Sequence, residues 1–276
     1  MVTRHGKSWS REELLLAMNL YCRIPFGRQN SRAREVIELA QAIGRSPGSV
    51  AMKLGNFTSL DPQEAARGIR GLTSAGQLDR QVWDEFHNDW EKLAEESEDL
   101  WRRRVSAQVN VSPSTEQIGF GQQAHKSQDV EITAPEKEPV GPTEGERMVR
   151  IRLTQEFFRR TVLVAYGVRC CVSGVPIPGL LIASHILPWG RFPKHRVNPR
   201  NGLCLSRLHD AAFDQGLVTL DEQNRLVLSR RLRDHLPNES LNHNFAAFEG
   251  HPIQLPEKFL PQPEFLRHHR EQIFQE

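Results

Sequence analysis

The feature that most restricts how this chain can fold is the stretch from Ser106 to Glu146, where SPSTEQ, GFGQQ and APEKEPVGPTEGE follow one another with almost no apolar periodicity. Such a segment buries too little surface to offset the entropy of ordering, so it reads as a flexible, disordered linker. A 276-residue chain interrupted there has room for two modest domains. The expected organisation is a domain over 1–105, a linker over 106–146 and a second domain over 147–276, the two domains tethered rather than fused.

Charge follows the same division. The net charge of +2 hides 12 Lys/Arg against 7 Asp/Glu in residues 1–82 and 15 against 6 in residues 147–236, with 2 against 7 in the linker. Two basic blocks around an acidic spacer suit a partner that is a polyanion, since each neutralised phosphate releases counterions. Met1 to Ser10 is polar and no apolar run nears 18 residues, so neither a signal peptide nor a membrane span is expected, and a cytoplasmic protein is. The four cysteines include no C-x-x-C pair, so no structural zinc is expected, and Cys171 and Cys204 read as small core residues.

The first domain reads as all-helical. Ser10 and Glu13 form a capping box ahead of an apolar face made by Leu14, Leu15, Met18 and Tyr21. A second helix spans Ser31 to Ile43. Gly44-Arg45-Ser46-Pro47 then supplies a C-cap, a short turn, an N-cap and a first-turn proline for a third helix through Phe57. That spacing resembles, loosely, helix-turn-helix modules, in which the second helix enters the major groove by its N-terminal residues. Arg45, Ser46, Ser49 and Lys53 are the expected DNA contacts. Gln81 to Arg104 predicts one further helix with an acidic outer face, which argues against DNA there.

The second domain holds the residues with chemistry. Leu180 to Ile186 is a short apolar run ended by Pro188, which predicts a buried strand with His185 near its end. Asn201-Gly202 is a hairpin signal before a second strand, Leu203 to Leu205, and Ser206 can cap a helix that carries His209, Asp210 and Asp214 and stops at Gly216. A second hairpin is expected from Leu217–Leu220 and Arg225–Leu228. The tail predicts a proline-rich strip and a short helix from Pro263, on which His268 and His269 read as a solvated pair. An imidazole near neutral pKa can take a proton from water, and an imidazole or carboxylates can hold a cation that offsets phosphate charge.

The words ASHI, LPW, NGLCLS and HDAAFDQG, with the order His185, Asn201, His209, resemble the HNH nuclease family. The resemblance implies an α+β protein whose C-terminal domain has the ββα-metal fold, metal-dependent cleavage of DNA phosphodiesters, His185 as general base, Asn201 as loop brace and His209 as metal ligand. It also implies one divalent ion per site, with Mg, Mn, Ni or another transition metal all open. Many relatives carry Asp or His directly before the base. This chain has Ser184, so Asp210 and Asp214 stand as candidates for the second ligand. Arg191, His195, Arg196 and Arg200, in the loop between the strands, are expected phosphate contacts. A bacterial restriction or defence role, targeted by the first domain to modified DNA, follows from the resemblance. The alternative is a DNA-binding regulator with a non-cutting HNH fold. A double-strand cut would need two sites, which leaves a homodimer open.

Overall fold

A computed structural model describes the backbone of residues 8–72, 74–106 and 142–276, and their side chains except those of 106 and 142–147. Nearly all of the expected linker therefore lies outside the described residues. Its last residues do not: a long helix begins at Pro142, before the expected boundary.

The N-terminal region is helical throughout. Helix α1 (Arg11–Arg23) opens on the expected capping box: Ser10 Oγ accepts from Glu13 N, and Ser10 N donates to Glu13 Oε2. Its run from Leu14 to Cys22 is buried on every side, so α1 is a central helix rather than a one-faced one. Helix α2 (Arg34–Ile43) ends on Gly44 in the left-handed conformation, φ 68°, and α3 (Pro47–Leu60) starts on the Ser46 cap, giving the expected three-residue turn. A short α4 (Pro62–Ala66) follows at once, capped by Asp61. The acidic helix expected over 81–104 is two helices, α5 (Gln77–Asn88) and α6 (Trp90–Trp101). Asp89 leaves helical geometry at φ −149° and caps α6 by accepting from Lys92 N.

The C-terminal region opens with α7 (Pro142–Ala165), followed by strands β1 (Leu181–His185) and β2 (Gly202–Ser206) and helix α8 (Arg207–Asp214). Strands β1 and β2 pair antiparallel, Leu181 opposite Ser206 and His185 opposite Gly202. The Asn-Gly pair is not the tight hairpin turn its composition predicts. Asn201 ends a 3-10 turn and Gly202 is already in the strand, so the loop between the strands runs from Ile186 to Asn201. Glycine is needed at 202 for a different reason: a Cβ there would lie 2.4 Å from Val162 Cγ2 and 3.1 Å from Phe158, both on α7.

The second hairpin forms as expected, from β3 (Val218–Leu220) and β4 (Leu226–Leu228). Asp221 Oδ1 ties its turn by accepting from Gln223 N and Arg225 N. Two short helices, α9 (Arg230–Arg233) and α10 (Glu239–Asn244), lead to the tail and to α11 (Pro263–Gln272).

The two regions are not merely tethered. One hydrophobic core runs from Leu14 to Leu266 through both, with α7 packed on α1 and α6. Trp90 meets Phe157 and Phe259, and Tyr21 meets Phe259. Lys258, fully buried, reaches from the tail into the N-terminal helices, where its Nζ donates to the carbonyls of Tyr21 and Ile24.

Candidate active site

His185 closes β1 and is held on three sides. Phe158 of α7 stacks on its ring at 4.1 Å and 10°, Trp189 meets it edge-on at 5.3 Å, and its Nε2 lies 2.8 Å from the Arg196 carbonyl. A carbonyl only accepts, so Nε2 carries the proton and Nδ1 keeps its lone pair. Burial pulls the imidazole below its ordinary pKa, against the raising effect of the Arg196 carbonyl. At neutral pH the ring is therefore a neutral base, oriented by one hydrogen bond.

Asn201 braces the loop. Its Oδ1 accepts from Leu187 N at 2.7 Å, its Nδ2 donates to His195 O at 3.1 Å and to Leu187 O at 3.4 Å, and its own carbonyl takes Ile186 N. One buried amide thus joins both arms of the loop that presents the Arg196 carbonyl to His185.

His209 stands where expected, in a helix capped by Ser206, but its ring is engaged within the protein. It is 1 % exposed in the first turn of α8, and both ring nitrogens are spent within the protein. Nε2 donates to the Asn244 carbonyl at 2.7 Å, which leaves Nδ1 to accept from the Ser206 hydroxyl at 2.7 Å. The Cys170 thiol lies 3.8 Å from the same Nδ1 and accepts from Ser173 N. The pairs Cys170-x-x-Ser173 and Ser206-x-x-His209 so converge through hydrogen bonds, and His209 has no lone pair left for a cation in this arrangement.

The two candidate carboxylates lie on the same helix as His209. Asp210 and Asp214 are four residues apart on α8 and so share a face. Burial raises Asp210, against the lowering effects of Ser184 and Arg207. Asp214 is pushed up to about 7, by desolvation first and then by the Asp210 carboxylate. Beside Asp210 stands Ser184, 2 % exposed, whose hydroxyl makes no hydrogen bond of normal geometry. Two mutually repelling carboxylates with a buried hydroxyl beside one of them fit a hard divalent cation with oxygen ligands, such as Mg²⁺ or Mn²⁺. Among the described residues, no cluster of three His, Cys, Asp or Glu side chains forms a closed metal cage, so water and phosphate oxygens would complete the shell. No hydrogen bond joins His185 to these carboxylates among the described residues. Ser184 and His185 are the last two residues of β1.

The expected DNA contacts divide sharply. Arg191 is exposed and His195 partly so, its ring against Phe265. Arg196 turns inward, donating from Nε to Trp189 O with its guanidinium 5.1 Å over the Trp189 ring. Arg200 is no phosphate contact: it is 5 % exposed and ion-paired to Asp61 at 2.8 Å. Arg45 is likewise buried, paired with Glu13 at 2.8 Å, and Lys53 holds both oxygens of Asp79. Ser46 caps α3 by accepting from Ser49 N. Exposed Lys194, beside Arg191, was not among the expected contacts. Nor was the Phe158 platform, whose only signal in the sequence is its place on the apolar face of a helix.

Residues 170–221 match the family model described as HNH endonuclease. No curated protein matches the chain. The match spans both strands of the first hairpin, their loop, α8 and β3, which are the elements that carry His185, Asn201, Asp210 and Asp214, and in this segment the chain is similar to HNH endonucleases.

Proposed function

We propose that this protein is a divalent-metal-dependent DNA endonuclease in which His185 is the general base and Asp210 and Asp214, with Ser184 beside them, hold the cation. The observation that carries the reading is the His185 geometry: a neutral imidazole fixed through Nε2 by a backbone carbonyl, with Nδ1 free to receive a proton. His185 takes that proton from the attacking water. Asn201 keeps the loop closed so that the Arg196 carbonyl stays under the ring. Asp210 and Asp214 bind the cation, which when bound would offset charge on the scissile phosphate and the leaving oxygen. Arg191 and Lys194, exposed on the same loop, supply positive charge for the backbone of the nucleic acid.

The wider role we infer is restriction of foreign or modified DNA, with the α2 and α3 pair as the reading element. Its support is the motif and the three-residue turn, since the basic residues expected to read DNA there are engaged in ion pairs. A homodimer would supply the two sites that a double-strand cut requires. Incubating supercoiled plasmid and modified DNA with the protein in Mg²⁺, Mn²⁺ or Ni²⁺ tests this. Nicking is expected in Mg²⁺ or Mn²⁺, with a loss of about 100-fold or more in the Asp210→Asn/Asp214→Asn double variant. Absence of cutting in every metal and on every DNA would favour a non-cutting DNA-binding regulator.

A further inference from the structure

We propose that Asp61, in the N-terminal helical region, is a positioning residue for the base His185, acting through Arg200 and the loop of the nuclease domain. The inference rests on the nuclease reading for its consequence, and on contacts alone for its geometry. Asp61 is fully buried and Arg200 is 5 % exposed, yet they are 139 residues apart in sequence. One oxygen of Asp61 caps α4 by accepting from Gln63 N at 3.0 Å, and the other accepts from Arg200 Nη2 at 2.8 Å. Arg200 also donates to Gln63 Oε1, lies over the Phe259 ring, and offers its own carbonyl to Gln262 N. Its guanidinium and its backbone are thus both fixed from outside the loop.

The next residue is Asn201, which ties Ile186, Leu187 and His195 together. His195 precedes Arg196, whose carbonyl orients His185. Each link is a hydrogen bond or a peptide bond, so a displacement at Asp61 has a continuous route to the base. A buried ion pair is a weak source of net stability, because desolvation cancels most of its attraction, but its geometry is directional. Here that direction sets where the loop begins its return to β2. The N-terminal region would therefore be part of the catalytic scaffold as well as a reader.

The test uses the full chain with Asp61→Asn, which keeps the size and capping ability but loses the charge, and Asp61→Glu, which keeps the charge. Nitrogen NMR of the His185 ring reports its tautomer, and single-turnover cleavage reports the rate. For Asp61→Asn the expected result is a kcat lowered about tenfold with KM for duplex little changed, and His185 ring signals shifted toward a mixture of tautomers. Asp61→Glu should recover most of both. Wild-type His185 signals and kcat in Asp61→Asn would overturn the proposal. If that variant does not fold, Arg200→Lys, which keeps a charge but loses the fork, decides by the same readouts. If the wild-type protein cuts no DNA the nuclease reading fails, while the His185 signals still decide whether Asp61 positions the ring.

Discussion

Single histidines in this molecule differ by what their second nitrogen meets. His185 has one nitrogen bound to the protein and one open, whereas His209 and His269 have both engaged. His269, expected as half of a solvated pair, is 1 % exposed. Its Nδ1 accepts from Thr219 Oγ1, its Nε2 donates to Phe213 O, and its ring stacks on Phe213 at 3.7 Å. Burial, the largest cause, lowers its pKa to about 4. The unfolded chain, with an ordinary histidine, binds the proton first as pH falls. The stability His269 contributes is therefore complete above about pH 6.5 and is lost progressively as pH falls toward 4. Between pH 7 and pH 5 the loss attributable to His269 should be about 2 kcal/mol. Urea denaturation of the wild type and of His269→Phe at both pH values checks this, and an equal drop in both proteins would contradict it. The placement of His185 at the end of β1 and of Asn201 before β2 was legible because their hydrogen-bond partners lie within a dozen or so residues. The fates of His209, Arg45 and Arg200 were not, since their partners Asn244, Glu13 and Asp61 lie 35, 32 and 139 residues away. Periodicity says nothing about such distances.

Elements were legible where a local signal ends them. The Ser10 box, the Gly44 and Ser46 pair, the Asp221 turn and the Pro263 helix start all stand where their chemistry predicts. The Asn201-Gly202 pair misled because glycine there answers to α7, which lies outside the local pattern. Gly216 answers to both demands. It ends α8 at φ +66°, and a Cβ on it would stand 2.1 Å from the Ile273 carbonyl oxygen, while its own carbonyl accepts from Gln275 N. Gly216→Ala should lower stability by about 3 kcal/mol through strain at positive φ and displacement of the tail. A urea midpoint within error of wild type would show that the tail yields without cost.

Across the whole molecule, the division read from the acidic stretch holds in composition and fails in packing. Apolar patterning gave each half its own core candidates, but nothing local announced that Tyr21, Trp90, Phe157 and Phe259 would meet in one core. Phe259 adopts φ 58°, a costly conformation for a bulky residue, at the point where the tail enters the N-terminal helices. Lys258 beside it is lowered by burial to about 8, far from the ordinary lysine value. Segregated charge is partly consumed at the same seam, where Arg23 and Arg160 share Glu98 and Arg200 takes Asp61. Arg191, Lys194 and Arg207, near β1 and β2, stay exposed. Among the described residues no helix is long and apolar enough to cross a membrane. Single-turnover cleavage of a labelled DNA duplex at saturating Mn²⁺ tests the proposed role of His185 as base most directly. His185→Ala should cut at least about 100-fold more slowly than wild type with duplex binding unchanged, and equal rates for the two proteins would contradict it.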